Sequence, residues 1–264
     1  MNWNRTQVLA ALHLYMQLPF GQLHHRNPRI QQLARWLGRT NSAVAMKLCN
    51  LASLDPQIVA SGRRGLEGAS KLDQQVWAEL QTHWDLIAGE AAAAYEALAA
   101  EVGLTPLQAD ELDEADLQVP LPEPALVQGL ERVAVVRLRV NQARFRRAVL
   151  ASYGARCCIT GLSDSRLLVA SHIVPWAVDA ENRQNPRNGL SLSALHDRAF
   201  DQGLITITPG EHRVKLHPEL QARADDPYLT ESLLCWAGMP LREPERFAPN
   251  DEFLEWHGQH FGFA

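Results

Sequence analysis

The chain has 264 residues, 46% of them hydrophobic and 21% charged, with a formal net charge of −5. That length suffices for one large domain or two small ones with real cores. No apolar run approaches the roughly 18–20 residues of a membrane span, and the acidic balance excludes an evenly basic nucleic-acid binder. The distribution is uneven, however. Nine basic residues face four acidic ones from Met1 to Trp84; eleven acids and no Lys or Arg lie between Asp85 and Glu131; eight arginines face one acid, Asp164, from Arg132 to Arg166. Two basic segments flank an acidic one, as in a protein with a localised anionic partner. The opening MNWNRTQVLAALHLYM lacks the zones of a signal peptide. The cysteines (Cys49, Cys157, Cys158, Cys235) form no spaced framework. Reduced thiols and a cytoplasmic setting are expected.

In chain order, Val8, Leu9, Leu12 and Tyr15 give residues 5–17 a helical period. Pro19, Gly21 and Pro28 interrupt it. RIQQLARWLG is helical again through Ile30, Leu33, Ala34 and Leu37, with Gly38 as a stop, and RTNSAVAMKLCNLASLDP follows from the N-cap candidates Thr40, Asn41 and Ser42. Two short helices around a Gly-containing turn make a helix-turn-helix pattern. Arg39, Asn41, Ser42 and Lys47 would then meet DNA near the start of the second helix; an ordinary three-helix core would leave them merely exposed. Residues 72–102 read as continued helix. LTPLQADELDEADLQVPLPEPALVQG, acidic and proline-containing, reads as a linker. The expected organisation is α+β, with a helical, helix-turn-helix-like domain over 1–103, a linker over 104–130, and a second domain over 131–264.

In that second domain VAVVRLRVNQARFRRAVLASYG passes from a β-like run into a helix, CCITG is a turn, and LLVASHIVPW is a strand. A loop with Asn182, Asn185, Pro186 and Asn188 precedes NGLSLSALHDRAFD, a strand end and helix. LITITPGEHRVKLH forms a hairpin at Pro209-Gly210 and NDEFLEWHGQHFGF a final helix. His172 in its strand has the bland reading of a packing histidine. Asp197 and Asp201, four apart, share one helix face. Like charges there cost stability unless neutralised, and a divalent cation would do so. The alternative pairs Asp197 with an arginine and makes Asp201 a cap before Gly203.

CCITG…LLVASHIVPW…NPRNGLSLSALHDRAFDQGLITI resembles the HNH nuclease family, the ββα-metal fold, in its bacterial restriction-type variant, over roughly residues 132–216. LPFGQLHHRNPRIQQLARWLGRTNSAVAMKLCNLASLDP resembles the domain that often precedes it. The resemblance implies His172 as general base, Asn188 as the middle residue of the motif, and HDRAFD as the metal-binding helix, with His196 matching the motif's last letter. Spacing gives Asp197 and Asp201 as the ligand pair, since four residues beyond His196 stands Phe200; a distorted first turn would let His196 reach. Arg144, Arg147 or Arg198 would neutralise the phosphate. Relatives usually carry Asp or His before the base, where Ser171 stands here, so the site would suit one Mg²⁺ or Mn²⁺ rather than zinc. Relatives with a structural zinc have two CxxC pairs; the adjacent Cys157 and Cys158 offer no such site, and no structural zinc is expected.

The implied activity is metal-dependent hydrolysis of double-stranded DNA in host defence, with modified DNA as one target. Double-strand cutting at a symmetric site would call for a homodimer. Two alternatives stand beside it: a nuclease for structured or damaged nucleic acid or RNA, and a DNA-binding regulator with a decayed nuclease site.

Overall fold

The computed structural model describes residues 2–62, 68–110 and 132–263. They divide into two compact units: the described residues up to Ala151 together with Ala180–Asn185, and Ser152–Asp179 with the residues from Pro186 onward. No helix among the described residues is long and apolar enough to cross a membrane.

The first unit is helical. Helix α1 (Arg5–Gln17) starts on a capping box between Asn4 and Gln7 and is buried from Val8 to Gln17. Its sequence is apolar on every side, so it forms the centre against which the others pack. Helices α2 (Pro28–Trp36) and α3 (Asn41–Ala52), capped by Asn27 and Thr40, are joined through Gly38 at φ +60°. Helix α4 (Pro56–Ala60) is capped by Asp55. The helix expected over 72–102 is two helices, α5 (Lys71–Thr82) and α6 (Trp84–Ala100), broken at His83 (φ −136°, ψ 70°). The break lets α5 and α6 pack together with α1. A single straight rod could not bury Val76, Trp77 and Leu80 in one core with Ile87 and Tyr95, and burial overrides local propensity.

The residues expected to open the linker belong to this unit. Helix α7 spans Pro106–Ala109, and Asp110 is fully buried; residues 111–130 lie outside the described residues. His13 Nε2 lies 2.7 Å and Arg144 Nε 2.8 Å from the Asp110 carboxylate, with Arg29 at 3.4 Å. Burial alone would raise the Asp110 pKa, but the neighbouring His13, Arg144 and Arg29 hold it well below the usual carboxylate range. Helix α8 (Arg132–Ser152) carries Arg144. The β-like run expected at its start is helical. Val140, Ala143, Ala148 and Ala151 are buried at helical spacing, and this period outweighs the weak strand preference of the valines before it.

The second unit is α+β. Strands β1 (Leu168–His172) and β2 (Gly189–Ser193) pair antiparallel, with His172 opposite Gly189. Helix α9 (Ala194–Asp201) follows β2 without a loop, because Ser193 both ends the strand and caps the helix. The expected hairpin is β3 (Ile205–Ile207) against β4 (Val214–Leu216). Short helices α10 (Pro218–Gln221) and α11 (Pro227–Ser232) precede α12 (Asp251–His260), which packs on β3. Cys157 and Cys158 are buried in the core, with both thiols free.

His257 of α12 is 2% exposed, and burial pushes its pKa down to about 4. Between about pH 6.5 and 4 the unfolded chain therefore binds a proton that the folded chain refuses, and stability is lost as the pH is lowered through that window. The contribution is on the order of 3 kcal/mol. In urea unfolding followed at β3 and β4, the stability advantage of wild type over His257→Gln is expected to shrink as pH drops from 6.5 to 4. A constant difference would contradict it.

Candidate active site

The site grows from the end of β1. His172 is half-buried and stands edge-on to Trp176, with ring centroids 5.8 Å apart. Immediately beyond, the chain is pinned by Asn188, which is fully buried. Its Oδ1 accepts from Val174 N at 2.8 Å, and its Nδ2 donates to Val174 O at 3.0 Å. Its own carbonyl accepts from Ile173 N at 3.0 Å. A primary amide is the side chain that can satisfy both backbone groups of one residue at once. The β1–β2 ladder is thus continued past His172 by a side chain.

β2 then delivers α9. Ser171, next to His172, is 3% exposed. Burial raises the Asp197 pKa, while Ser171 and Arg198 oppose the rise. One turn on, Asp201 keeps a solvent-facing surface. The protein packed around its other side and the Asp197 charge push its carboxyl up to about 6, against Arg198. The two carboxylates therefore feel each other, as their spacing requires.

His196 is held at the start of α9. It is 4% exposed, its Nδ1 lies 2.8 Å from Ser193 Oγ, and its ring stands edge-on to Trp236 at 6.4 Å. Its Nε2 has no partner among the described residues, and burial lowers its pKa. Among the described residues, no three His, Cys, Asp or Glu side chains group closely enough to hold a metal ion. The donors that fit one are the two carboxylates of α9, hard oxygens on one helical face whose repulsion a cation would relieve.

The expected DNA contacts are dispersed. Arg198 is exposed on α9 beside the carboxylates. Arg144 is buried on Asp110 and Glu96, and Arg147 donates to the Asp110 carbonyl. Lys47 is 5% exposed, with Nζ 2.7 Å from both oxygens of Asp73. Lys47 and Arg144 thus neutralise buried carboxylates, a geometry that leaves no face for a phosphate, and this corrects their expected exposure. Arg39 bonds Asn2 O and Gln7 Oε1 and lies over Trp3 at 4.3 Å. Asn41 is half-buried, and Ser42 is exposed.

The profile of a family described as HNH endonuclease matches residues 157–208. This segment is an HNH domain. Comparison with curated proteins gave no match. HNH domains are nuclease domains that act on nucleic acid and generally use a divalent metal ion. The HNH segment includes His172, Asn188 and all of α9, but not α12. His257 of that last helix reaches back to Phe200, a contact across 57 residues that no sequence spacing announces.

Asn188→Ala would strip Val174 N–H and C=O of their partner in a buried setting. The expected cost is roughly 2–4 kcal/mol. Amide exchange should accelerate at Val174 more than at Ile173, whose bond goes to the unaltered Asn188 carbonyl. Equal protection at Val174 in both proteins would refute the clamp.

Proposed function

We propose that the chain is a metal-dependent DNA endonuclease whose site is built from His172, Asn188, Asp197 and Asp201. The observation that carries this reading is the junction of β1 with α9: the helix that bears Asp197 and Asp201 packs against the strand that ends in His172. His172 serves as general base, its imidazole taking a proton from the attacking water. Asn188 positions it by fixing the following turn. Asp197 and Asp201 would hold one Mg²⁺ or Mn²⁺. When bound, the ion supplies positive charge to the phosphate and the leaving oxygen. His196, held by Ser193 and packed on Trp236, fixes the start of α9 rather than completing a three-donor set. Arg198, exposed on the carboxylate helix, is the arginine for the phosphate.

The substrate we infer is double-stranded DNA, inspected by the α2–α3 pair through Arg39, Asn41 and Ser42, in a cytoplasmic defence role that includes modified DNA. Cutting both strands would be the work of a homodimer. The four free thiols suit that compartment. A second reading is favoured by the two-carboxylate donor set, which is sparse for a nuclease. It makes the chain a DNA-binding regulator with a decayed site.

Purified protein with Mg²⁺ or Mn²⁺ is expected to cut duplex DNA, and His172→Ala to lose on the order of 10²–10⁴ in rate. Unmodified, methylated and branched duplexes and RNA, assayed side by side, define the substrate. Cutting at the wild-type rate by His172→Ala would overturn the mechanism. DNA binding without cleavage in any metal would establish the regulator.

A further inference from the structure

Helix α12 lies outside the matched HNH segment, yet part of it is committed to the carboxylate-bearing helix. The His257 ring stacks on Phe200 with centroids 3.7 Å apart and planes 12° apart. Its Nε2 lies 3.2 Å from the Phe200 carbonyl, and its Nδ1 lies 2.8 Å from the Thr206 hydroxyl on β3. A carbonyl only accepts, so the ring proton sits on Nε2 and Thr206 donates to Nδ1. Phe200 immediately precedes Asp201, and its carbonyl also accepts from Gly203 N at 2.9 Å. Both bonds therefore fix the last turn of α9.

Phe261 closes the same turn from outside. Gly203 sits at φ +64°, and a Cβ there would lie 2.2 Å from Phe261 Cδ1. Only glycine meets both demands. A histidine used merely to fill a core would need neither polar bond. Here each ring nitrogen ties α12 to the segment on one side or the other of this turn.

We propose that His257, seconded by Phe261, is a positioning residue for the divalent-cation site: α12 fixes the C-terminal turn of α9 and with it the Asp201 carboxylate. The inference rests on the reading of Asp197 and Asp201 as the cation-holding pair. Outer partners that orient ligands govern affinity by roughly 10–100-fold.

The test is Mn²⁺ binding to the full chain without DNA, by isothermal titration calorimetry, alongside melting curves. His257→Phe keeps the stacked ring and loses both polar bonds; His257→Gln keeps a donor and an acceptor. Mn²⁺ affinity is expected to fall about tenfold or more in His257→Phe and to be largely restored in His257→Gln. If His257→Phe does not fold, Thr206→Val takes its place. Unchanged affinity in a folded His257→Phe protein, while Asp201→Asn weakens binding, would overturn the inference and leave the cation pair standing. Equal losses in both His257 variants that track their melting temperatures would also overturn it, making His257 a core residue. Unchanged affinity in Asp201→Asn would instead overturn the underlying assignment of the pair.

Discussion

The two hydrogen bonds between the Asn188 side-chain amide and the backbone of Val174 are the constraint on which the rest of the site depends. They join segments 14 residues apart and satisfy buried backbone groups that would otherwise each cost about 1–3 kcal/mol. Because Asn188 abuts β2, the same residue sets the start of that strand and, through the Ser193 cap, the start of α9. The place of His172 and the place of the two carboxylates are therefore consequences of one buried amide. Its requirement for both a donor and an acceptor explains why neither aspartate nor leucine would serve.

Against this frame the site holds unfavourable features. Asp197 and Asp201 repel, and His196 buries a ring nitrogen with no partner among the described residues. Such departures from polar satisfaction are expected where a chain binds or reacts rather than merely folds. They are tolerated because α9 rests on a strong apolar anchor. Phe200 is fully buried, stacked on His257, and truncating such a residue costs about 3–5 kcal/mol. The final helix thus stabilises a helix whose solvent-facing side carries like charges.

Several helices could be read from the sequence, because their signals are local: the Thr40 cap and the Gly38 stop each work within a few residues of the helix end they mark. The order His172, Asn188, Asp201 was equally readable, and the HNH match covers it. The break at His83 was hidden, since neither proline nor glycine marks it and the cause is shared burial. Nor could the fates of Lys47 and Arg144 be read. Their partners Asp73 and Asp110 lie 26 and 34 residues away, and a basic residue on a helix looks the same in sequence whether it meets DNA or a buried acid. His257 was missed for the same reason: its contacts with Thr206 and Phe200 span more than 50 residues, and its own segment shows only a helical period.

The central claim is that the end of β1 and the carboxylate face of α9 form a single cation-centred site. Paramagnetic broadening by Mn²⁺, titrated at substoichiometric amounts into isotope-labelled full chain, tests it most directly. The account predicts that the amides of residues 171–174 and 196–202 broaden first and together, and that Asp201→Asn abolishes the effect. Broadening centred elsewhere, such as on the exposed acids Glu219 and Asp225, or confined to α9 with residues 171–174 untouched, would contradict it.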